Sequence, residues 1–229
     1  MKKLVVLSGA GVSAESGIMT FRDANGLWEN HSIEAVATPE GWQKDPNLVL
    51  RFYNERRAQA VAVQPNAAHF ALAELEKDFD VTIITQNVDN LHERAGSSKV
   101  VHLHGELTKV RSSKDETLIF DIGGDAIQLG DLCPLGSQLR PHIVWFGEMV
   151  PMIEIAAEIA MEADIFVVIG TSMQVYPAAG LIQYVELNAP KFLIDPNTPD
   201  LANSYRNLTI IKEVATVGMQ RLQALLAKM

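Results

Sequence analysis

The sequence predicts an α/β protein: a doubly wound parallel sheet with a small lobe formed by two insertions. Three observations predict it. The first is the opening unit. Leu4, Val5, Val6 and Leu7 form a short apolar run, as in a strand buried on both faces of a parallel sheet, and Gly9, Gly11 and Ala14 follow in G-x-G-x-x-A spacing. Strand, glycine turn and helix start in that order are the signature of a Rossmann-like unit. The second is the rhythm, because strand-length apolar runs alternate with helical stretches along most of the chain. The third is where the polar clusters fall. Gly9–Ser13, Gln86–Asp89, His104-Gly105, Gly147-Glu148 and Gly170–Ser172 each sit at the expected C-terminal end of a strand. In an open parallel sheet those ends share one edge, where ligands bind at the switch in strand order.

In the opening unit, Gly9 permits a tight turn, Gly11 lets a pyrophosphate approach the backbone, and Ala14 lets the helix pack close on the strand. The helix start offers unpaired N–H groups and partial positive charge to a phosphate. Alone, the motif serves equally as a ligand-free turn. Its continuation, ESGIMTFR, is an apolar, aromatic and cationic loop ending in Phe21 and Arg22, built to close over a ligand.

Residues 23–66 leave the rhythm and form the first expected insertion, with a helix from about Asn47 to Ala62. On it Tyr53 and Arg56, three apart, share a face. The rhythm resumes with a helix over Ala67–Leu75, a strand over Val81–Thr85 and a strand over Val100–Leu103. Residues 106–141, polar and irregular, read as the second insertion. A strand over Ile143–Phe146, a helix over Ile153–Met161 and a strand over Asp164–Ile169 follow. Pro177 opens a helix, Lys191–Ile194 is a strand ending at Asp195, and Val217–Ala227 is an amphipathic helix.

With 229 residues the chain has room for one domain, 1–229, carrying both insertions. Hydrophobic content of 48% and charged content of 21% are those of a soluble globular protein. A net charge of −9 argues against a nucleic-acid partner, which needs a basic face. The single cysteine, Cys133, excludes an internal disulfide and fits a reducing compartment. No apolar segment is long enough to span a membrane, and Ser8-Gly9 cuts the stretch after Lys2-Lys3 too short for a signal peptide. A cytoplasmic protein with no membrane partner is expected.

The chemistry rests on a few side chains. Gln86, Asn87 and Asp89 supply amide donors, amide acceptors and a carboxylate, which suit ribose hydroxyls and a carboxamide. The same residues would also cap an ordinary strand-to-helix turn. His104 is the best candidate general base, since an imidazole titrates near neutrality. His102 faces the same side by the period-two rule, so spacing alone does not choose between them, although His104 is nearer the edge. His31, His69, His92 and His142 read as structural or exposed. Gly170-Thr171-Ser172 offers backbone and hydroxyl donors to ribose or phosphate.

In order and approximate spacing, GAGVSAESGI-TFR, QNVD, HG, VWFGE and GTS resemble the sirtuins, NAD-dependent protein lysine deacylases, over nearly the whole chain. ESGIMTFRD, NLHERAG and RPHIVWFGEM are most similar to the bacterial and mitochondrial branch whose members often remove acidic acyl groups. The resemblance implies that Gly9, Ala10, Gly11, Ser13 and Ala14 cradle the NAD pyrophosphate beneath Phe21 and Arg22. It implies Gln86, Asn87 and Asp89 at the nicotinamide ribose and carboxamide, Gly170, Thr171 and Ser172 at the distal ribose and phosphates, and Asp195 with Asn197 on the adenosine side. His104 would be the catalytic base, with Asn87 beside it. The partner would be an acylated lysine in a protein or peptide, added as a strand between Gly147-Glu148 and the segment after Ser172, where Val144 and Phe146 also lie. Products would be nicotinamide, O-acyl-ADP-ribose and free lysine. Tyr53 and Arg56 match the Y-x-x-R pair of acidic-acyl sirtuins, which implies removal of succinyl and malonyl groups as well as acetyl. A sirtuin-like ADP-ribosyltransferase or NAD glycohydrolase, or a non-catalytic NAD-binding module, are the alternatives. A monomer is expected.

Two departures stand out. Most sirtuins bind a structural zinc through two cysteine pairs in the second insertion; here only Cys133 is present, with Ser112 and Ser113 where the first pair would begin. One thiolate does not make a four-sulfur site, so no metal is expected and the lobe should hold by packing through Leu118, Ile119, Phe120 and Ile122. The second is Asp195, where asparagine is common. Its carboxylate can still accept ribose hydroxyl bonds but would disfavour a 2′-phosphate.

Overall fold

A computed structural model describes residues 1–18, 31–197 and 204–229, together with the backbone of residues 27–28. Phe21 and Arg22 lie outside the described residues. The chain opens with β1 (Lys3–Ser8), α1 (Gly11–Ala14), β2 (Leu27–Trp28), β3 (His31–Ser32), α2 (Ile33–Val36), α3 (Pro39–Lys44) and α4 (Pro46–Ala62). Next come α5 (Ala67–Glu74), β4 (Asp80–Thr85), α6 (Leu91–Arg94), β5 (Val100–His102), β6 (Gly105–Ser112), β7 (Ile119–Asp121) and β8 (Leu139–Ile143). It closes with α7 (Ile153–Met161), β9 (Ile165–Ile169), β10 (Lys191–Ile194), β11 (Leu208–Ile211) and α8 (Ala215–Leu226).

Six strands form one parallel sheet in the order β11-β10-β9-β1-β4-β5. From β1 the chain builds outward through β4 and β5, then returns to the other side of β1 with β9, so the switch point lies between β1 and β9. The register pairs Ser8 with Thr85 and with Ile169, Thr85 with His102, and Ile169 with Ile194. Five strands therefore end at one level, which sets the loops that follow them side by side.

Alternation along each strand feeds two cores. Leu4, Val6, Ile83, Val167 and Ile194 face α5 and α8 through Leu72, Met219 and Leu222. Val5, Leu7, Ile84, Phe166 and Val168 face α7 and the 3-10 segment Ala178–Tyr184 through Ala156, Ala160, Leu181 and Ile182. Helices on both faces make the sheet doubly wound, as the sequence predicts. The turn after Pro177 is 3-10 where a helix was expected, and β11 adds an edge strand the sequence reading did not contain. No helix among the described residues is long and apolar enough to cross a membrane.

The second insertion differs more. It is not irregular: β6, β7 and β8 form a three-stranded antiparallel sheet in the order β7-β6-β8. The strand expected over Ile143–Phe146 is instead Leu139–Ile143, so Gly147-Glu148 does not end a parallel strand. Pro141 hid it, but proline is tolerated on an edge strand, and β8 is one. The packing is also redistributed. Leu50, Val110 and Ile127 form the centre, Phe120 and Ile122 pack against it, and Ile119 is exposed.

Hydrogen bonds tie the insertion's loops together. Ser112 Oγ accepts the N–H groups of Lys114 and Asp115, each at 3.2 Å, and lies 3.5 Å from Cys133 Sγ. Cys133 N–H donates to Ser137 O at 2.7 Å, and Ser113 N–H to Gln138 O at 2.9 Å. Among the described residues, no three His, Cys, Asp or Glu side chains converge as a metal site requires.

Candidate active site

The switch point is closed by contact between two glycine turns. Gly11 N–H donates to Gly170 O at 2.8 Å and Gly9 N–H to Ile169 O at 3.0 Å. A Cβ on Gly9 would lie 2.7 Å from Thr171 Cβ, and one on Gly11 would lie 2.8 Å from Gly170 Cα. Both glycines are thus required by the close approach of two protein backbones, whatever ligand lies above them. Gly170 itself has φ +65°, a left-handed conformation that favours glycine.

Ser13, at the end of the first turn, is a polar hub. Its Oγ lies 3.0 Å from Asp89 Oδ2, 3.1 Å from Asn87 Nδ2 and 3.5 Å from His69 Nε2. The donors can be assigned. Asn66 N–H donates to His69 Nδ1, so the His69 proton is on Nε2 and faces Ser13. Ser13 therefore accepts from Asn87 and His69 and donates to Asp89. Burial pushes His69 down to about 4, so it is neutral at physiological pH. The Asp89 carboxyl is pushed up by burial, against the hydrogen bonds from Leu91 N–H and Ser13. Beneath this hub, Asn87 N–H rests on Thr85 Oγ1, which accepts from Ser8 Oγ, itself 2.9 Å from His92 Nε2. His69 and His92 are both buried, in keeping with the structural reading.

The two candidate bases separate in space. His104 Nδ1 lies 3.0 Å from Gln86 O; a carbonyl only accepts, so Nδ1 carries the proton and Nε2 is the basic nitrogen. Burial lowers the His104 pKa below the ordinary imidazole value, against the hydrogen bond to Gln86. His102 lies off the cavity: its Nδ1 meets Asn87 O at 3.1 Å and its Nε2 meets Glu93 at 2.7 Å.

One cavity of about 620 Å³ runs across these loops. Apart from His102, the candidate site residues within the described parts of the chain line it. Gly9, Ala10, Gly11, Ser13, Ala14, Gln86, Asn87, Asp89, His104, Gly170, Thr171, Ser172, Asp195 and Asn197 form one part. Tyr53, Arg56, Val144, Phe146, Gly147 and Glu148 form the other. Gln86 Nε2 donates to Thr171 Oγ1 at 3.3 Å, joining the β4 and β9 loops, and Asp195 Oδ1 accepts Asn197 N–H at 2.8 Å.

At the small-lobe end, α4 buries Tyr53, Arg56 and Arg57 on its inner side. Tyr53 Oη accepts the Trp145 indole N–H at 3.1 Å, and Arg56 lies over the Phe52 ring at 5.7 Å. Arg57, next in the helix, is also buried and bonds Leu107 O and Asn54 Oδ1; burial lowers it to about 10. Glu148 is held by Arg140 at 2.7 Å, Arg111 at 3.2 Å and Trp145 N–H at 2.8 Å. With its carboxylate so engaged, the Gly147-Glu148 segment has backbone rather than charge to offer a peptide. Sequence reasoning did not single out Trp145 or Leu107, whose roles arise from contacts distant in sequence.

The residues present fit NAD. The volume is that of a small-molecule site, and its walls combine a carboxylate, amides and hydroxyls able to bond ribose with glycine turns that carry no side chain.

A family profile described as the Sir2 family matches residues 9–177. An NAD-dependent protein deacylase of Bacteroides thetaiotaomicron is 57% identical over 231 residues, spanning 99% of this chain and 98% of its own. One from Helicobacter pylori is 55% identical over 229 residues, spanning 100% of this chain and 99% of its own. Among solved structures, a Sir2 homologue in complex with NAD has TM-score 0.87 and 40% identity, covering 99% of this chain and 90% of that one. A Sir2 protein with a deacetylated peptide and an acetylated ADP-ribose has TM-score 0.82 and 28% identity, covering 97% of this chain and 92% of that one. The chain belongs to the Sir2 family.

Proposed function

We propose that this protein is a monomeric, cytoplasmic, NAD-dependent deacylase of protein lysines. The observation that carries the reading is the single cavity shared by His104, the Ser13–Asn87–Asp89 cluster and the Tyr53–Arg56 end. The names of its full-length relatives and the NAD and peptide complexes of its structural neighbours support it. The lone Cys133 fits a reducing compartment.

When bound, NAD supplies the ribose that takes up the acyl group and the nicotinamide that leaves. His104 takes a proton at Nε2, since its Nδ1–H is committed to Gln86 O and its lowered pKa keeps it unprotonated at neutral pH. Asn87 and Asp89, held rigid through Ser13, orient the ribose and carboxamide. Leu107, Ile143 and Trp145 keep the acyl end of the cavity apolar and exclude water. Asp195 accepts from the adenosine ribose and selects against a 2′-phosphate.

The acyl end reads a carboxylate. Tyr53 is wholly buried and its pKa is raised, so it is a neutral donor at physiological pH, and Arg56 beside it carries a forked pair of donors. Succinyl- and malonyl-lysine are therefore substrates together with acetyl-lysine. Incubation with NAD and each acylated peptide, followed by mass spectrometry, tests the function. O-acyl-ADP-ribose is the expected product. Free ADP-ribose or mass added to protein would indicate glycohydrolase or transferase chemistry, and no turnover would leave a binding module.

A further inference from the structure

We propose that Trp145 is a positioning residue for acyl-chain selectivity, setting the direction in which Tyr53 offers its phenolic proton. The inference rests on the reading that Tyr53 and Arg56 contact the acyl carboxylate. An indole N–H can only donate, so in the 3.1 Å Trp145–Tyr53 contact the phenol oxygen is the acceptor. A phenol hydroxyl prefers the plane of its ring and has two orientations there. With one occupied by the Trp145 N–H, the Tyr53 proton is turned to the other. Both side chains line the cavity, and both are essentially removed from bulk water, which would otherwise compete for that proton.

Trp145 is itself held on three sides. Its backbone N–H donates to Glu148 Oε2 at 2.8 Å. The Arg140 guanidinium lies 3.3 Å from the indole centroid, and Glu148 bonds Arg140 at 2.7 Å. The Trp42 ring packs at 5.8 Å. A cation on the π face draws electron density from the indole and strengthens the N–H as a donor. Phe146 and Gly147, the next residues, line the same cavity. Trp145 thus links the acyl reader on α4 to the loop proposed to take the peptide, through contacts that neither element makes alone.

The test compares kcat/KM for succinyl-lysine and acetyl-lysine peptides across Tyr53→Phe, Arg56→Met, Trp145→Phe and the Tyr53→Phe/Trp145→Phe double variant. Benzothienylalanine at residue 145, which keeps the bicyclic shape and lacks the N–H, covers the case in which Trp145→Phe does not fold. Loss of the N–H is expected to lower the succinyl-to-acetyl ratio about fivefold, as for one hydrogen bond, and to add nothing further once Tyr53 is Phe. If Tyr53→Phe and Arg56→Met leave the ratio unchanged, the acyl-site reading falls and this inference with it. If those two variants lower the ratio but loss of the indole N–H scales both substrates equally, or multiplies with Tyr53→Phe, this inference alone is overturned.

Discussion

His102 and His104, two residues apart, grip successive carbonyl oxygens of one loop: His104 Nδ1 donates to Gln86 O at 3.0 Å and His102 Nδ1 to Asn87 O at 3.1 Å. The outward nitrogens differ. His104 lines the cavity, while Nε2 of His102 is tied to Glu93. On the proposed function, one geometry therefore serves two roles, His104 as the base and His102 as a clamp. His104→Ala is expected to lower kcat by at least about 100-fold, with the fold and most NAD affinity kept. His102→Gln should cost only a few-fold in kcat/KM, through a looser Asn87. Steady-state kinetics and NAD titration on folded variants check this; equal losses of chemistry would remove the base assignment. In the wild type, the acid limb of kcat/KM should fall below the ordinary imidazole value, because burial lowers the His104 pKa.

Stability should depend on pH with opposite signs at two histidines. At His102 burial would lower the pKa, but the hydrogen bond and charge of Glu93 outweigh it and raise the value above 6.5. That stabilisation is complete below pH 6.5 and is lost as pH rises through the raised folded value. At His69 burial depresses the pKa to about 4, so its contribution is complete above 6.5 and is lost as pH falls towards 4. The stability gap between wild type and His102→Gln should accordingly be widest near pH 6, at about 1–2 kcal/mol, and shrink on the alkaline side. Thermal melts across pH decide it; a gap that widens with pH would contradict the assignment of a charged His102.

The small lobe should need no metal. Ser112 Oγ takes two backbone N–H bonds and meets Cys133, so local hydrogen bonds hold the loops that a four-cysteine site would hold by zinc. A strong chelator should leave Tm unchanged, and elemental analysis should find no stoichiometric zinc. Ser112→Ala should cost about 1–3 kcal/mol, because two N–H groups in a partly buried turn lose their acceptor.

What was legible in the sequence divides along physical lines. The parallel strands announced themselves because both faces of Leu4–Leu7 and of Ile165–Ile169 are buried, which leaves a continuous apolar run. The candidate site was legible because strand register brings polar loops to one edge, and each loop carries its own local motif. The antiparallel sheet was hidden because β6 buries Arg111 and Ser112, polar residues whose partners, Glu148 for Arg111 and Cys133 for Ser112, are distant in sequence. Arg57 is buried too, and the carbonyl that accepts its Nε–H, Leu107 O, is 50 residues distant. Trp145 could not be assigned from VWFGE alone, since its partner Tyr53 lies 92 residues away.

The last prediction concerns Arg56. It is buried on α4 beside the cavity, one helical turn from Tyr53. A buried guanidinium costs desolvation that the site bears whatever acyl group is present, and a carboxylate on the acyl chain would offset it. On the proposed function, removing the cation takes away a charge-assisted, two-pronged contact for succinyl-lysine, whereas acetyl-lysine offers it no carboxylate. Arg56→Met, which keeps an unbranched apolar stem but no charge, should lower kcat/KM for desuccinylation by about 100-fold. Deacetylation should change by no more than about threefold. Because the carboxylate is remote from the reacting carbonyl, most of the succinyl loss should fall on KM, with kcat less affected. Peptide kinetics with both acyl groups on both proteins measure this. Equal losses would mean that Arg56 holds α4 in place and does not read the acyl chain.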